Sequence, residues 1–562
     1  MRKGFLFLPL LCIAANAAEI GATSFVTSTR TPTAEAPAFG TGAWFTRSFN
    51  HQRPRVELQG PVAFDAHVID DRLELSLRNY IDLVLANNTD IQLERLSVEI
   101  PRNAILRQYS IFDPQLQASF NATRRETPAN DVLAGASTVS SLQQPLVVRA
   151  ASLLPTGATW NFGFNGVKSS NNSAFQLYNP AINTDFNFGF TQPLLRGRGT
   201  FYTKLPITVA QSRLRQSGYN IEDRVLRIVE RAENAYWDVI FAREQLKVQE
   251  QNLALNEKFL ERARRELELG AISQLDIYQP EAQYKNAELA VTQARFRLQA
   301  VEDVLRRQMG ADLEPKVRTL PLVLTEGVEP PVQTALDREA LVEKALRQRP
   351  DLRAARQAID VDDLTIRGAS NALRPDFRLT GSYGAFGRGG PLYQRSNVFG
   401  GGGNQVVSVI PGGLGDALDQ LFGFGFPTYS MGLQLNFPLR DRRAAADYAD
   451  AVVNKRLDLL RIRNSEQQSR LEVLNAITEV ERSRASVELA RVALDLAQKR
   501  LDAETKKFDL GTTTLFFVLD AQTQLNQAQS NLVNQTVTFR RNLTALQRST
   551  ADLLPDRGIS VQ

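Results

Sequence analysis

Residues able to do covalent or metal chemistry are few in this 562-residue chain. There is one cysteine, Cys12, and two histidines, His51 and His67, all in a sparse N-terminal segment. That count excludes a His/Cys metal cluster and a Cys–His nucleophile pair. Carboxylates are plentiful, yet no pair stands where the sequence defines a pocket. Glycine clusters at Gly387–Gly390, Gly400–Gly403 and Gly412–Gly415 do not follow a strand and open a helix with GK[ST], so they read as an extracellular loop rather than a phosphate cradle. The chain is expected to be no enzyme and to need no cofactor. The informative stretches are two near copies, LELGAISQLDIYQPEAQYKNAE at Leu267–Glu288 and FDLGTTTLFFVLDAQTQLNQAQ at Phe508–Gln529. In each, a Leu-Gly pair ends one helical pattern, small or hydroxylated residues follow, and a new amphipathic helix begins. Such a break is a helix-hairpin tip.

What holds the tips is legible in the flanking patterns. Leu246, Leu253, Leu260 and Leu267 recur every seven residues in a helix expected over about Leu205–Leu269. Some sixty residues at 1.5 Å each reach on the order of 100 Å, longer than any globular core requires. After Gly270 a second helix returns to about Met309. The second long helix, about Arg442–Leu510, carries Val487, Ala490, Leu494, Ala497 and Leu501 at alternating three-and-four spacing, and its return runs to about Leu554. The halves align: Leu85 with Leu346, Asp90 with Asp351 and Pro114 with Pro375 at an offset of 261, Pro193 with Pro438 at 245, Gly270 with Gly511 at 241. The chain is an internal duplication.

Ahead of each long helix the period changes from 3.6 to 2. Gln115–Ala122, Trp160–Asn165, Phe186–Thr191, Phe377–Tyr383 and Tyr429–Phe437 alternate apolar with polar residues, as strands between lipid and water do. Each half supplies two principal strands, so four per chain are expected. Membrane barrels begin at about eight strands, and an open edge in lipid leaves backbone groups unpaired. The barrel must therefore be shared between copies, with the long helices pointing into the periplasm.

The N-terminus fits export. Arg2 and Lys3 precede an apolar run from Gly4 to Ala15, and Ala15-Asn16-Ala17 is a small-x-small site, so cleavage is expected after Ala17, leaving no cysteine. The run is too short to span a bilayer, and no later apolar run reaches the length of a transmembrane helix. Net charge is +5, from 66 basic and 61 acidic residues evenly mixed, which argues against nucleic-acid binding. Expected boundaries are 1–17 signal peptide, 18–70 extended leader, 71–313 first repeat (helix pair, two barrel strands, long hairpin), 314–332 linker, 333–555 second repeat and 556–562 tail.

Over about residues 73–555 the chain resembles the TolC-like outer-membrane efflux and secretion channels. The resemblance rests on the two-fold repeat, RPDL at Arg349–Leu352, TQPLLRGRG at Thr191–Gly199, LNFPL at Leu435–Leu439 and GTTTLFFVLDAQTQL at the second tip. It implies an α+β membrane fold: duplicated α-helical hairpins forming an α-barrel tunnel, and four β-strands per chain in a trimeric, twelve-stranded outer-membrane barrel. Implied partners are two further copies, outer-membrane lipid, a periplasmic adaptor and an inner-membrane pump of RND, ABC or MFS type. The implied function is a passive, gated exit duct of a tripartite efflux or type I secretion system, with an envelope adaptor or structural coiled-coil protein as the alternative. An adaptor predicts a β-domain between the arms of one hairpin and no duplicated hairpin. An exported enzyme predicts a clustered acid, base or metal set.

Site residues carry over position by position. Phe516, Phe517 and Asp520 match the periplasmic constriction. Three Asp520 carboxylates would form a cation-attracting ring, and Phe516 a hydrophobic constriction one turn earlier. Phe517 replaces an acidic residue of some relatives. Asp276 matches one acidic member of a lock, but the partner positions carry Phe508 and Thr513 rather than tyrosine and arginine, so a looser or mainly hydrophobic gate is expected. Leu269, Gly270, Ala271, Ser273, Leu510, Gly511, Thr512 and Thr514 match the tips that receive the adaptor. The residues alone also allow solvated helix positions, helix-packed aromatics and simple helix capping.

Overall fold

The computed structural model describes residues 64–129, 137–173, 175–270, 273–327, 336–396 and 405–559. The expected signal peptide and the leader as far as residue 63 lie outside the described residues. The last part of the expected leader is ordered. Phe64–His67 forms a 3-10 turn and β1 (Val68–Ile69) pairs with β2 (Arg72–Leu75).

Each repeat opens with a helix pair. In the first, α1 (Leu77–Asn87) is capped by Ser76, whose hydroxyl accepts from Asn79 N, and α2 (Thr89–Ser97) and α3 (Glu99–Tyr109) follow. The second member of the expected helix pair is thus divided in two. Pro101, with no N–H to bond the Ser97 carbonyl, accounts for the break at Val98. The first long hairpin consists of α4 (Leu205–Glu268) and α5 (Tyr278–Gln308). The second repeat supplies α6 (Arg338–Gln348), an unbroken α7 (Pro350–Ala372), and, beyond its strands and α8 (Leu414–Phe422), the hairpin α9 (Arg442–Asp509) and α10 (Leu515–Ser549).

One joint recurs in both repeats. Asn88 caps α2 with its side-chain oxygen, which accepts from Asp90 N and Ile91 N, while its amide nitrogen donates to the Gln308 carbonyl at 2.7 Å. At the matching place Arg349 forks onto Asp351 (Nη2–Oδ2 2.8 Å), reaches Glu472 at 2.7 Å and donates to the Ser549 carbonyl. Gln308 and Ser549 are the last residues of α5 and α10. The RPDL stretch is thus a clamp: Arg349 ties the helix pair to both arms of the hairpin, Pro350 opens α7, and Leu352 is fully buried. Both return helices end in the same turn. Gly310 (φ 71°) and Ala551 (φ 62°) stand in the left-handed region, and Ala311 N and Asp552 N reach back to the Arg306 and Gln547 carbonyls.

The main core surrounds this joint in the first repeat. Leu73, Leu75, Tyr80, Ile81, Tyr236, Trp237, Leu305 and Met309 are buried together. The segment expected as a linker takes part: β8 (Leu322–Leu324) pairs parallel with β2, and Arg243 donates to the Leu322 carbonyl. The expected tail also packs here, with Arg557 on buried Glu233 at 2.6 Å and Ile559 against the core.

The remaining strands are β3 (Gln115–Phe120), β4 (Thr123–Pro128), β5 (Thr138–Leu153), β6 (Thr159–Asn171), β7 (Ala181–Pro193), β9 (Asp376–Gly389), β10 (Leu392–Arg395), β11 (Val406–Ile410) and β12 (Phe426–Asn436). The large sheet runs β12-β9-β7-β6-β5-β3, with β4 also on β5, and every pair is antiparallel. β3 and β4 are two parts of one strand. The break at Asn121–Ala122 falls opposite Gln144 and Pro145, and Pro145 has no N–H to give. Beside the strands expected of each half, the sheet holds the β5–β6 hairpin. Missed was β5, where Pro145, Arg149 and the Val147-Val148 pair blur the alternation that identifies a strand.

The register places one apolar face across the sheet. Leu116, Ala118 and Phe120 lie opposite Ala150, Val148 and Leu146. These neighbour Phe162 and Phe164, then Phe188 and Phe186, then Tyr383 and Ala385, and Tyr383 in turn faces Tyr429. The other face carries Asn161, Asn165, Asp185, Asn187, Thr380, Ser382 and Ser430. Asn165 donates to Asp185 at 2.9 Å and the two serine hydroxyls meet at 2.8 Å. On the apolar side α8 covers one end. A Cβ at Gly387 would stand 2.0 Å from the Ala417 carbonyl, so glycine permits the contact. The two glycine clusters near residues 387 and 412 thus serve a strand–helix packing rather than a free loop, and residues 400–403 lie outside the described residues.

The joint predicts a pH response. Burial works to raise the Asp351 and Glu472 carboxyls, but the Arg349 fork outweighs it, for Glu472 with help from Arg548, and holds both below the usual carboxylate range. A depressed folded-state pKa contributes stability above the unfolded value of about 4, lost as pH falls through the folded one. Arg349→Met leaves both carboxylates desolvated, raises their pKa values and costs about 2–4 kcal/mol at neutral pH, allowing for the partial exposure of Asp351. The deficit should shrink as pH falls from 7 to 4 in denaturant unfolding followed by circular dichroism. A deficit independent of pH would contradict the clamp.

Candidate functional site

The tips follow from local chemistry. In both, leucine is the last αR residue and the next glycine takes φ 73°, so Gly270 N donates to the Leu267 carbonyl and Gly511 N to the Phe508 carbonyl. The helices stop there because glycine, with no Cβ, enters that left-handed conformation without steric cost and turns the chain out of the helix. The cap leaves leucine outside: Leu269 is 83% and Leu510 79% exposed. Thr512 doubles the cap, its N and hydroxyl both donating to the Lys507 carbonyl. On the first tip Ser273 N donates to the Asp276 carboxylate at 3.1 Å and the Ser273 hydroxyl accepts from Leu275 N. Asp276 therefore closes its own turn. Ala271 lies outside the described residues. Thr514 stands at the N-cap of α10 without a side-chain capping bond.

The second tip is held from inside. Val518, Ala521 and Leu525 of α10 pack with Leu501 of α9, and Leu255 and Phe259 of α4 close the cluster, so both hairpins share one small core near their ends. Phe516 and Phe517 turn away from it, 56% and 50% exposed, with their rings edge to face at 5.5 Å. Two adjacent exposed aromatics are costly in a lone chain and suit a surface where copies meet. Asp520 is one turn beyond Phe516. Its carboxylate accepts from Arg500 of α9 at 3.1 Å and from Gln524 at 2.9 Å. The candidate acidic ring thus carries an arginine beside every carboxylate, which sequence reading did not assign. A signal existed, since Arg500 and Asp520 stand ten residues either side of Leu510 and an antiparallel hairpin brings such positions together.

Near the tips the two hairpins are also joined by charge. Arg262 of α4 donates to Asp509 at 2.9 Å and stacks over the Phe508 ring, 4.6 Å from its centroid, while also meeting Glu266 at 3.0 Å. Both acceptor bonds hold the guanidinium firmly charged. The expectation of a mainly hydrophobic gate therefore needs an addition. Phe508 does sit at the link between hairpins, but as the face under an arginine. With 247 residues between Arg262 and Asp509, no local pattern announces the pair.

Comparison with known proteins places this geometry. Residues 341–552 match the family model described as outer membrane efflux protein. Outer membrane efflux protein BepC of Brucella suis is 22% identical over 473 residues, covering 83% of this chain and 84% of that protein. Among solved structures, the Campylobacter jejuni CmeC outer membrane channel superposes with a TM-score of 0.60 at 15% identity, over 85% of this chain and 86% of that one. The open state of the Neisseria gonorrhoeae MtrE outer membrane channel gives 0.56 at 18% identity, over 85% and 89%. The second repeat thus matches the outer membrane efflux protein model, and along most of its length the chain has the fold of these outer membrane channels.

Proposed function

We propose that the protein is the outer-membrane exit duct of a tripartite efflux or type I secretion system, conducting passively and closing at its periplasmic tips. One observation carries this reading: a sheet with a continuous apolar face and, among the described residues, two unpaired edges, β12 and β3/β4, belongs to the same chain as two helical hairpins on the order of 100 Å long. In lipid those edges must be paired, and a second copy supplies the partner strands. Three copies bring six tips together around an axis. The exposed Leu269 and Leu510, with Ser273, Thr512 and Thr514 beside them, offer a periplasmic adaptor small apolar footholds between capped helices, and an inner-membrane pump supplies the energy. The adaptor alternative is disfavoured: the arms of each hairpin are separated only by a tip turn, with no room for a β-domain.

At the tips, Phe516 narrows the bore, Asp520 lines it and the Arg262–Asp509 pair holds the hairpins together. Since Arg500 half-neutralises each Asp520, the ring draws divalent cations only moderately.

Detergent extraction and imaging should show a trimer with one barrel and a long tapered tube, and a soluble monomer would refute the duct. In planar bilayers, Arg262→Ala should raise resting open probability about two- to fivefold, as expected for a half-exposed pair worth about 0.5–1 kcal/mol. High salt should erase the difference. Phe516→Ala should raise resting conductance at any salt, and an unchanged closed state in both variants would remove these residues from the gate. Divalent block should weaken in Asp520→Ala and strengthen in Arg500→Ala, where the carboxylate loses its partner. Block unchanged in both would sink the ring.

A further inference from the structure

Between β9 and β12 the chain builds α8, a nine-residue helix on the apolar face of the sheet. β9 starts just after α7 and β12 ends just before α9, so α8 stands at the end of the sheet far from the long helices. We propose that α8 is a membrane anchor: one flank sits among the acyl chains of the outer leaflet, another meets water, and the helix fixes the height of the duct in the bilayer. The proposal rests on the outer-membrane duct argued above.

The helix is held firmly to the wall. Ala417 and Leu421 turn to the sheet and are fully buried. The Thr184 hydroxyl donates to the Ala417 carbonyl at 3.2 Å, and Arg388 N, beyond the reach of β12, donates to the Gln420 side chain at 3.1 Å. A Cβ at Gly389 would stand 2.0 Å from the Gly413 carbonyl, so the backbones approach as closely there as at Gly387. Both helix ends are bonded within the segment. Gly413 N donates to the Asp416 carboxylate at 2.6 Å, while Gly423 N and Gly425 N return to the Asp419 and Gln420 carbonyls. A helix beside lipid needs such closed ends, because lipid offers its backbone no partner.

Around its axis α8 has three distinct sides. Next to the sheet-facing side lies an apolar flank of Leu414, Leu418 and Phe422, spaced by four residues, with Leu414 52% and Phe422 67% exposed. The remaining side carries Gly415, Asp416 and Asp419, all exposed. Sheet, lipid and water each find a matching side, as in a helix lying in a membrane interface. The apolar flank is continuous with the apolar face of the barrel. Phe424, just past the helix at φ 53°, places its half-exposed ring 5.9 Å from that of Tyr383 on this face. A bulky residue rarely takes this conformation, and here it turns an aromatic ring outward. Because α8 lies on the apolar side, it cannot cover the bore.

Its height fits as well. Outward-facing residues of β9 run from Phe377 to Gly387, where α8 begins to cover the strand. Ten residue steps reach about 33 Å along the strand, or about 25 Å of height at about 40° tilt, which matches the apolar band of outer-membrane barrels. α8 therefore marks the upper border of that band. With two carboxylates and no basic residue, it attaches by apolar contact rather than by charge.

Single-cysteine variants on a Cys12→Ser background, labelled with bimane and reconstituted in phosphatidylcholine vesicles bearing nitroxide lipids, test the anchor. Phe422→Cys should be quenched about twofold more by a nitroxide at the glycerol level than by one near the chain end, since interfacial helices lie about 5–10 Å deep. The β12 control Met431→Cys should show the reverse order. Asp419→Cys should stay bright and react with a water-soluble thiol reagent, and about 1 M salt should leave the Phe422 signal unchanged. Quenching at Met431 without quenching at Phe422 would overturn the anchor and leave the duct intact. Equal quenching at Asp419 and Phe422, or loss of the Phe422 signal in salt, would also overturn it. No quenching at Met431 would remove the duct and the anchor with it. Leu414→Cys, on the same flank, replaces Phe422→Cys should that variant fail to fold.

Discussion

Everything in this chain hangs on how two helices of 64 and 68 residues are held at their roots. A rod on the order of 100 Å turns a tilt of about 5° at one end into a displacement of about 8 Å at the other, larger than a closed constriction. The root must therefore be stiff, and hydrophobic packing alone is not directional enough. The joint built by Asn88 and Arg349 answers this. Each residue stands at the start of a short helix and bonds the last carbonyl of a returning long helix. The two solutions differ chemically. Asn88 uses neutral amide bonds, while Arg349 gathers Asp351 and Glu472 and, through Glu472, Arg548. Removing one member of the charged joint leaves the others desolvated, so it is the more fragile of the two.

At the opposite end of the rods the constraint reverses. In the proposed duct the tips must be defined, to meet a partner, and separable, to open. The glycine caps provide definition through backbone geometry, independent of the neighbouring copies. Separability comes from interactions that are individually weak: a small core shared by α4, α9 and α10, one half-exposed Arg262–Asp509 pair, and aromatics left exposed. Strength is thus graded along the rod, from a buried charged joint at the root to a screened one at the tip.

The wall obeys a third rule, that no backbone group faces lipid unpaired. In the proposed duct it explains why the edges of the sheet require further copies. The stretch joining wall and tunnel is bonded across the repeats. Gly197 N donates to Asn371 Oδ1, Arg196 Nε to the Arg374 carbonyl and Leu194 N to the Phe377 carbonyl, so TQPLLRGRG acts as a seam between first and second repeat.

What could be read without coordinates was what local periodicity and duplication carry. Three of the four long helices were legible to within a residue of their observed ends, because heptad leucines and a helix-stopping Leu-Gly are short-range signals, whereas the last stops at Ser549, five residues before the expected Leu554. The repeat was legible because offsets of 261 and 241 survive divergence, and with it the candidate tips. The strand β5 was not: it hides its alternation behind Pro145 and Arg149, and only its pairing with β6 and β3 shows which side each residue faces. Nor were the charged partners. Arg262 meets Asp509 across 247 residues and Arg349 meets Ser549 across 200, and no local spacing encodes such contacts. Helix formation is decided within a few turns of chain and leaves its mark there. Which charges neutralise one another, and how many strands share a wall, is decided by which helices and strands come to lie side by side.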